Sequence, residues 1–244
     1  MPDIRGVVTD EEPCPYLPDR KWRNFLIERA GPVSPVRHEF YLDRGFRRMG
    51  RLIYRPSCDS CQECRSLRID VKSYRPSKSH RRARNRNRDL VVSIDRTSYS
   101  DEKRDLLERY LDVRHDGPMS ADEIPVRDYM FFDTGSSFEI CYRQDGRLVA
   151  LGLVDLTPSI LSSVYFYYDP DLAERSLGIY SMLVEIELAR GQGRTWYHPG
   201  YYVEGCAAMT YKARFGPAEI LDRDRGWVSF SPPDRPASRA STRG

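Results

Sequence analysis

The sequence predicts a mixed α/β fold of the α+β kind, with a sheet-rich second half behind a smaller Cys- and Arg-rich first half. Three observations predict it. Residues up to 95 are rich in Arg, Pro and Cys and carry no long apolar periodicity. Beyond residue 138, strand-like runs alternate with amphipathic helical runs. The resulting order, hairpin, strand, helix, strand, helix, strand, suits layers of helix on sheet rather than a bundle or a sandwich. With 40% hydrophobic residues in 244, the chain can bury a real core. No run approaches the roughly 20 apolar residues of a membrane helix. Met1-Pro2-Asp3-Ile4-Arg5 lacks the basic and apolar regions of a secretory signal. The expectation is a cytoplasmic protein with no membrane partner.

Taken in order, residues 1–100 are expected to form the smaller domain, with many loops and a modest core. Helical patterning starts after Asp101, where Leu106, Leu107, Tyr110 and Leu111 recur at three- and four-residue spacing, and 101–230 is assigned to the second domain. Ser120-Ala121-Asp122-Glu123 has the form of a capping box, so another helix is expected there, carrying Tyr129 and Met130 inward. Phe138 to Arg143 and Leu148 to Leu156 read as strands, joined through Gln144-Asp145-Gly146-Arg147, whose Asp-Gly pair favours a tight hairpin turn. A third strand follows at Ile160 to Tyr168. Arg175 to Arg190 reads as an amphipathic helix through Leu177, Met182, Leu183, Ile186 and Leu188, ended by Gly191 and Gly193. A strand at Thr195 to Val203 and a short helical stretch at Ala207 to Phe215 complete the order. The tail, 231–244, has few apolar side chains and is expected to be disordered.

The net charge is only +3, so the field of the whole molecule points to no partner, but its distribution does. Lys78, Arg81, Arg82, Arg84, Arg86 and Arg88 fall within eleven residues with no acid among them, a footprint for phosphates. Cations that repel one another are relieved by a polyanion, whose binding then weakens steeply with salt. Cys58, Cys61 and Cys64 are spaced too tightly to pair comfortably, and Cys14 offers a fourth thiolate. A structural zinc or iron-sulfur centre on these four stands open beside a plain set of small loop residues. Cys141 and Cys206 are isolated and read as core or pocket residues.

Arg175-Ser176-Leu177-Gly178 lies where a strand gives way to a helix, and amides left unsatisfied at such a turn face a phosphate. Its Arg-x-x-Gly form resembles the phosphate loop of the N-acetyltransferase (GNAT) fold. Tyr165, Tyr167, Tyr168, Tyr180, Tyr197, Tyr201, Tyr202 and Tyr211 crowd the same half. Strand alternation sends some to the core and leaves others to line a pocket for a base or a side chain. Among His38, His80, His115 and His198, only His198 falls near that pocket.

Together these strings resemble the bacterial aspartate/glutamate leucyltransferases, sister enzymes of the eukaryotic arginyl-tRNA-protein transferases. The resemblance spans residues 14–230. In the first half it rests on Cys14-Pro15-Tyr16-Leu17-Pro18, Gly45-Phe46-Arg47-Arg48-Met49-Gly50, Tyr54-Arg55-Pro56, Ser79-His80-Arg81-Arg82 and Arg86-Asn87-Arg88-Asp89-Leu90. In the second it rests on Tyr168-Asp169-Pro170, Arg175-Ser176-Leu177-Gly178, Gly200-Tyr201-Tyr202 and Met209-Thr210-Tyr211-Lys212-Ala213-Arg214-Phe215. Met49 stands where a serine is expected, and His80 where glutamine is usual.

The resemblance implies a GNAT-like acyltransferase second domain. It implies transfer of leucine from leucyl-tRNA to the amino-terminal Asp or Glu of acceptor proteins, marking them for N-degron degradation, with no cofactor required. Arg81, Arg82, Arg84 and Arg88 would hold tRNA phosphates, and Arg175 with the amides of Ser176, Leu177 and Gly178 would grip the 3′ end. An acidic acceptor requires a cation, to be supplied from Arg47, Arg48, Lys212 and Arg214. Asp169, Tyr201 and Glu204 are the catalytic candidates, with His198 beside them. The same transfer from arginyl-tRNA, an acyl-coenzyme A transferase and a metal-dependent RNA-binding module remain as rival readings.

Overall fold

The computed structural model describes residues 4–29, 31–114 and 126–232, with the backbone alone at 114, 128 and 129. The Ser120-Ala121-Asp122-Glu123 capping box and the tail from 233 lie outside the described residues. In chain order the first elements are β1 (Val7–Val8), β2 (Glu12–Pro13), β3 (Lys21–Trp22), β4 (Asn24–Glu28), α1 (Pro35–Leu42), β5 (Arg47–Met49) and β6 (Leu52–Pro56). Next come β7 (Arg65–Asp70), α2 (Lys78–Arg86), β8 (Val91–Arg96), α3 (Asp101–Arg114) and α4 (Val126–Tyr129). The second half runs β9 (Ser137–Gln144), β10 (Arg147–Leu156), β11 (Ile160–Tyr168), α5 (Leu177–Gly191), β12 (Trp196–Tyr202), α6 (Ala207–Thr210), β13 (Ala218–Asp222) and β14 (Gly226–Phe230). Short 3₁₀ turns cover Pro170–Arg175 and Tyr211–Arg214.

The expected hairpin forms as its sequence dictates. Asp145 and Gly146 adopt φ of 49° and 83°, the paired left-handed conformation of a two-residue turn that matches strand twist. The expected helix starts two residues late, at Leu177. Asp169 caps a 3₁₀ turn that runs to Arg175, and Ser176 at φ 58° then breaks the chain direction before α5 begins.

The main sheet has the order β14-β13-β7-β12-β11-β10-β9-β8, and a smaller one the order β1-β4-β6-β5. The large sheet takes β7 and β8 from before residue 100, so it runs across the junction expected there. β7 sits inside it, between β12 and β13, with Leu67 and Ile69 fully buried. Burying such side chains is worth about 1.5–3 kcal/mol each, which outweighs the charged Arg68 between them. A strand of six residues carrying Arg65, Arg68 and Asp70 gives little sequence signal that it lies inside a sheet.

Both faces of the large sheet are covered. Leu177, Met182, Leu183, Ile186 and Ala189 of α5 pack on one, with Ile140, Tyr142, Val149, Ala150, Val154 and Tyr197. Leu106, Leu107 and Leu111 of α3 cover the other with Cys141, Leu148, Leu151, Leu153 and Tyr167, and Met130 joins them as expected. A bulge between Leu148 and Ala150 puts Val149 and Ala150 on the same side. No helix among the described residues is long and apolar enough to cross a membrane.

Candidate active site

All strand pairs among the described residues are antiparallel except β11 with β12. These two pair only over Ile160–Trp196, Leu161–Tyr197 and Ser162–His198, and then part. β12 also gains one residue against β7 between Tyr197 and Gly200, at His198-Pro199, where proline has no amide to give. Arg47 arrives from β5 at the parting point. Its Nη1 donates to Ser162 Oγ at 3.0 Å and to the His198 carbonyl at 3.5 Å, and its Nη2 donates to the Ser163 carbonyl. The guanidinium thus bridges two strands that no longer bond to each other.

Gly200 stands beside this guanidinium at φ 108°, a conformation that side chains avoid. A β-carbon there would lie 3.3 Å from Lys212 Nζ and 3.7 Å from Arg47 Nη2. Lys212 donates to the Tyr201 carbonyl at 3.3 Å and to Met209 Sδ at 3.1 Å. Its ammonium is enclosed, although the residue as a whole is only half-buried. Burial, followed by the Arg47 charge, draws its pKa down to about 7. Among the described residues, neither cation has a carboxylate among its bonding partners.

Glu185, on α5 and 1% exposed, belongs to the same neighbourhood. Its Oε1 accepts from Ser181 Oγ at 2.6 Å, and its Oε2 accepts from the Tyr197 hydroxyl at 2.8 Å. Burial raises its pKa, against the lowering effect of the Ser181, Tyr197 and Ser163 hydroxyls and of Arg47. Gly152 of β10 makes room, since a β-carbon there would come 3.6 Å from Glu185 Oε1. Ser181-x-x-x-Glu185 puts both groups on one helix face. That spacing was available in the sequence, but the apolar stripe of the helix drew the reading instead.

The residues singled out from sequence are dispersed. Asp169 is fully buried, bonded to Arg109 and Arg147 at 2.8 and 2.9 Å, and accepts the Asp171 amide, so its oxygens are occupied by structure. Tyr201 donates to the Gly45 carbonyl at 2.9 Å, and burial lifts its pKa well above the phenol range. Glu204 is exposed and lies 3.8 Å from Arg65, at the rim of another crevice. Arg48 is committed to Asp155 by bonds of 2.6 and 2.8 Å, and Arg214 is exposed. His198 is buried against Trp227 with its Nε2 unpartnered.

Arg175 is 9% exposed and turned toward α2, donating to Asn87 Oδ1 at 3.1 Å, to the Arg86 carbonyl at 2.8 Å and to Asp89. It clamps α2 to the start of α5 instead of standing open to a phosphate. Ser176, Leu177 and Gly178 do open α5, and the Gly178 β-position faces the Tyr211 hydroxyl at 3.9 Å, next to Lys212. On α2, Arg81 and Arg82 are exposed and Arg84 pairs with Glu187, and Arg88, just beyond the helix, is exposed as well. His80 supplies the capping-box contact to Ser77 there, with its ring stacked on Phe215 at 4.1 Å.

Cys14, Cys58, Cys61 and Cys64 line one crevice of about 850 Å³. Burial, then the neighbouring thiols of Cys14, Cys58 and Cys61, pushes Cys64 up to about 12. Among the described residues, no group of three or more His, Cys, Asp or Glu side chains is placed so that it could hold a metal ion.

Residues 12–82 match the family profile of the arginine-tRNA-protein transferase N terminus, and residues 102–222 that of its C terminus. A protein of Methylobacterium nodulans called aspartate/glutamate leucyltransferase is 39% identical over 236 residues, 91% of this chain and 94% of that one. One of Pseudomonas paraeruginosa bearing the same name is 36% identical over 235 residues, 93% and 97% of the two chains. The chain belongs to the aspartate/glutamate leucyltransferase family. Its solved structural relatives are more distant: L-PGS from Bacillus licheniformis at 15% identity and TM-score 0.42, covering 74% of this chain and 54% of that one. The ribosomal-protein-S18-alanine N-acetyltransferase from Escherichia coli follows at 14% and 0.32, covering 42% and 62%.

Where β11 parts from β12, Arg47 and Lys212 stand on either side of Gly200 without a directly bonded carboxylate among the described residues. Buried cations without carboxylate partners are costly to maintain and favour an incoming anion. The first turn of α5 reaches this region through Gly178, whose β-position faces the Tyr211 hydroxyl.

Proposed function

We propose that this chain transfers leucine from leucyl-tRNA to the amino-terminal Asp or Glu of acceptor proteins, in the cytoplasm, marking them for N-degron degradation. The observation that carries the acceptor half is the pair of cations flanking Gly200. Among the described residues Arg47 and Lys212 bond only to hydroxyl, carbonyl and thioether groups, and a ligand carboxylate would give them the direct ion pair they lack. The donor is an ester and already activated. The protein therefore contributes position, a sink for the amine proton and donors at the developing oxyanion. Lys212 and Arg47 bind the acidic side chain, and so hold its α-amine next to the gap between the strands. The exposed arginines of α2 take tRNA phosphates, while the amides opening α5 face the 3′ end. Arg48 and Arg175 support these surfaces through Asp155 and Asp89 and do not touch substrate.

The test is transfer of labelled amino acid from purified leucyl-tRNA and arginyl-tRNA, in parallel, to peptides beginning with Asp, Glu or Ala. Leucine on the Asp and Glu peptides alone is expected. Arginine on the same peptides would keep the acceptor site and exchange the donor, and transfer to the Ala peptide would remove the role of the two cations.

A further inference from the structure

Glu185 is a buried carboxylate to which the proposed function gives no task, and its assignment rests on that reading. Other deeply buried acids here are held by cations: Asp155 by Arg48, Asp169 by Arg109 and Arg147, Glu139 by Lys103. Buried carboxylates are ordinarily paired in this way. Glu185 is held by hydroxyls instead, those of Ser181, Tyr197 and Ser163. An acid tied to an arginine has no use for a proton, whereas one tied to hydroxyls can take a proton that the hydroxyl passes on. The other groups facing it are the charges of Arg47 and Lys212 and the phenols of Tyr142 and Tyr211. The first two belong to the cation pair that brackets Gly200.

We infer that Glu185 is the proton sink for the acceptor's α-ammonium, reached through the Tyr197 hydroxyl. The α-ammonium gives one proton to the Tyr197 oxygen as the phenol proton passes to Glu185. The freed lone pair forms the C–N bond to the ester carbonyl carbon. As the C–O bond to the tRNA breaks, a second amine proton ends on the 3′ oxygen, leaving an amide N–H and a 3′ hydroxyl. Glu185 then returns its proton to water. It acts through Tyr197 and is a positioning residue for the proton, whereas Lys212 and Arg47 hold the acceptor.

The experiment is single-turnover leucine transfer to an Asp-initiated peptide, at saturating leucyl-tRNA, as a function of pH. The wild-type rate should rise with pH along an acid limb of unit slope. Glu185→Gln keeps the shape, should lose on the order of 10²-fold or more in rate, the size of a general-base contribution, and should flatten that limb with the acceptor KM little changed. Tyr197→Phe should act in the same direction, and Glu185→Asp should keep the limb. A Glu185→Gln rate within about threefold of wild type, far below a general-base effect, would overturn the inference. So would a slow variant that retained the acid limb, because that is the signature of a merely structural loss. If Glu185→Gln fails to fold, Tyr197→Phe decides by the same criterion. A wild-type protein that moved no leucine would instead sink the donor reading and this inference with it, so the two failures are told apart by the wild type alone.

Discussion

Arg47 and Arg48 are neighbours on β5, directed to opposite sides of the strand, and they meet opposite kinds of partner. Arg48 grips Asp155 with two bonds and Ser137 with a third, and His38 stands 3.7 Å from the same carboxylate. Among the described residues Arg47 bonds only to neutral oxygens, at the place where β11 and β12 separate. Both are buried, at 9% and 6% exposure, so burial alone does not tell a structural cation from a functional one. What tells them apart is whether a carboxylate of the protein bonds the guanidinium directly. Where it does, the charge is spent on holding the small sheet to the large one. Where it does not, the charge is kept for a ligand.

Replacing each by methionine should break this pair in different ways. Arg48→Met leaves Asp155 buried without its partner, and removing one member of a buried ion pair costs about 3–5 kcal/mol, visible as a large drop in Tm. Burial pushes the Asp155 carboxyl up, but Arg48 and then His38 outweigh it and hold it at about 2, below its ordinary 3.8. A depressed carboxyl contributes stability above its unfolded value that is lost as pH falls through the folded one. The wild-type protein should therefore lose this contribution between pH 3.8 and about 2, and the Arg48→Met protein should have none to lose.

Arg47→Met should cost less stability and more function. Transfer to Asp- and Glu-initiated peptides should fall on the order of 10²-fold in kcat/KM, the scale of truncating one partner of a desolvated charge contact. A Tm loss as large as that of Arg48→Met, with kcat/KM for the residual folded protein unchanged, would erase the distinction between the two arginines.

The α2 arginines offer a milder contrast, since Arg81 and Arg82 are exposed while Arg175 is clamped behind the helix. Changing Arg81 and Arg82 together to Ala should weaken tRNA binding at all sequences and lower the salt slope by about 2, one per phosphate contact. An unchanged slope would move the tRNA elsewhere.

The last contrast is the pH dependence that Lys212 brings. Burial and then Arg47 hold it at about 7, against an ordinary 10.5, so between those values the unfolded chain binds a proton that the folded one does not. Stability then rises with pH across that window. The Lys212→Met protein should lack that part of the Tm gain between about pH 7 and pH 10.5. Equal pH dependence in both proteins would place the lysine in open solvent.

Much of this molecule is fixed locally and was readable from residues. The Asp145-Gly146 turn, the strands either side of it, and the helix after Ser176 follow from conformational preference and apolar spacing, which act over a few neighbours. The family was also legible, because ordered strings such as Gly45-Phe46-Arg47-Arg48 and Tyr211-Lys212-Ala213-Arg214 survive as strings. Their roles were not. Arg47, Arg48, Lys212 and Arg214 read alike as cations, and Asp169, Glu185 and Glu204 as acids. A charged side chain gets its task from what lies opposite, and here the opposite group is 107 positions away for Arg48 and 115 for Arg47. Only the tertiary fold bonds Asp155 to one and, among the described residues, leaves the other bonded to neutral oxygens, and only it parts β11 from β12 around Gly200.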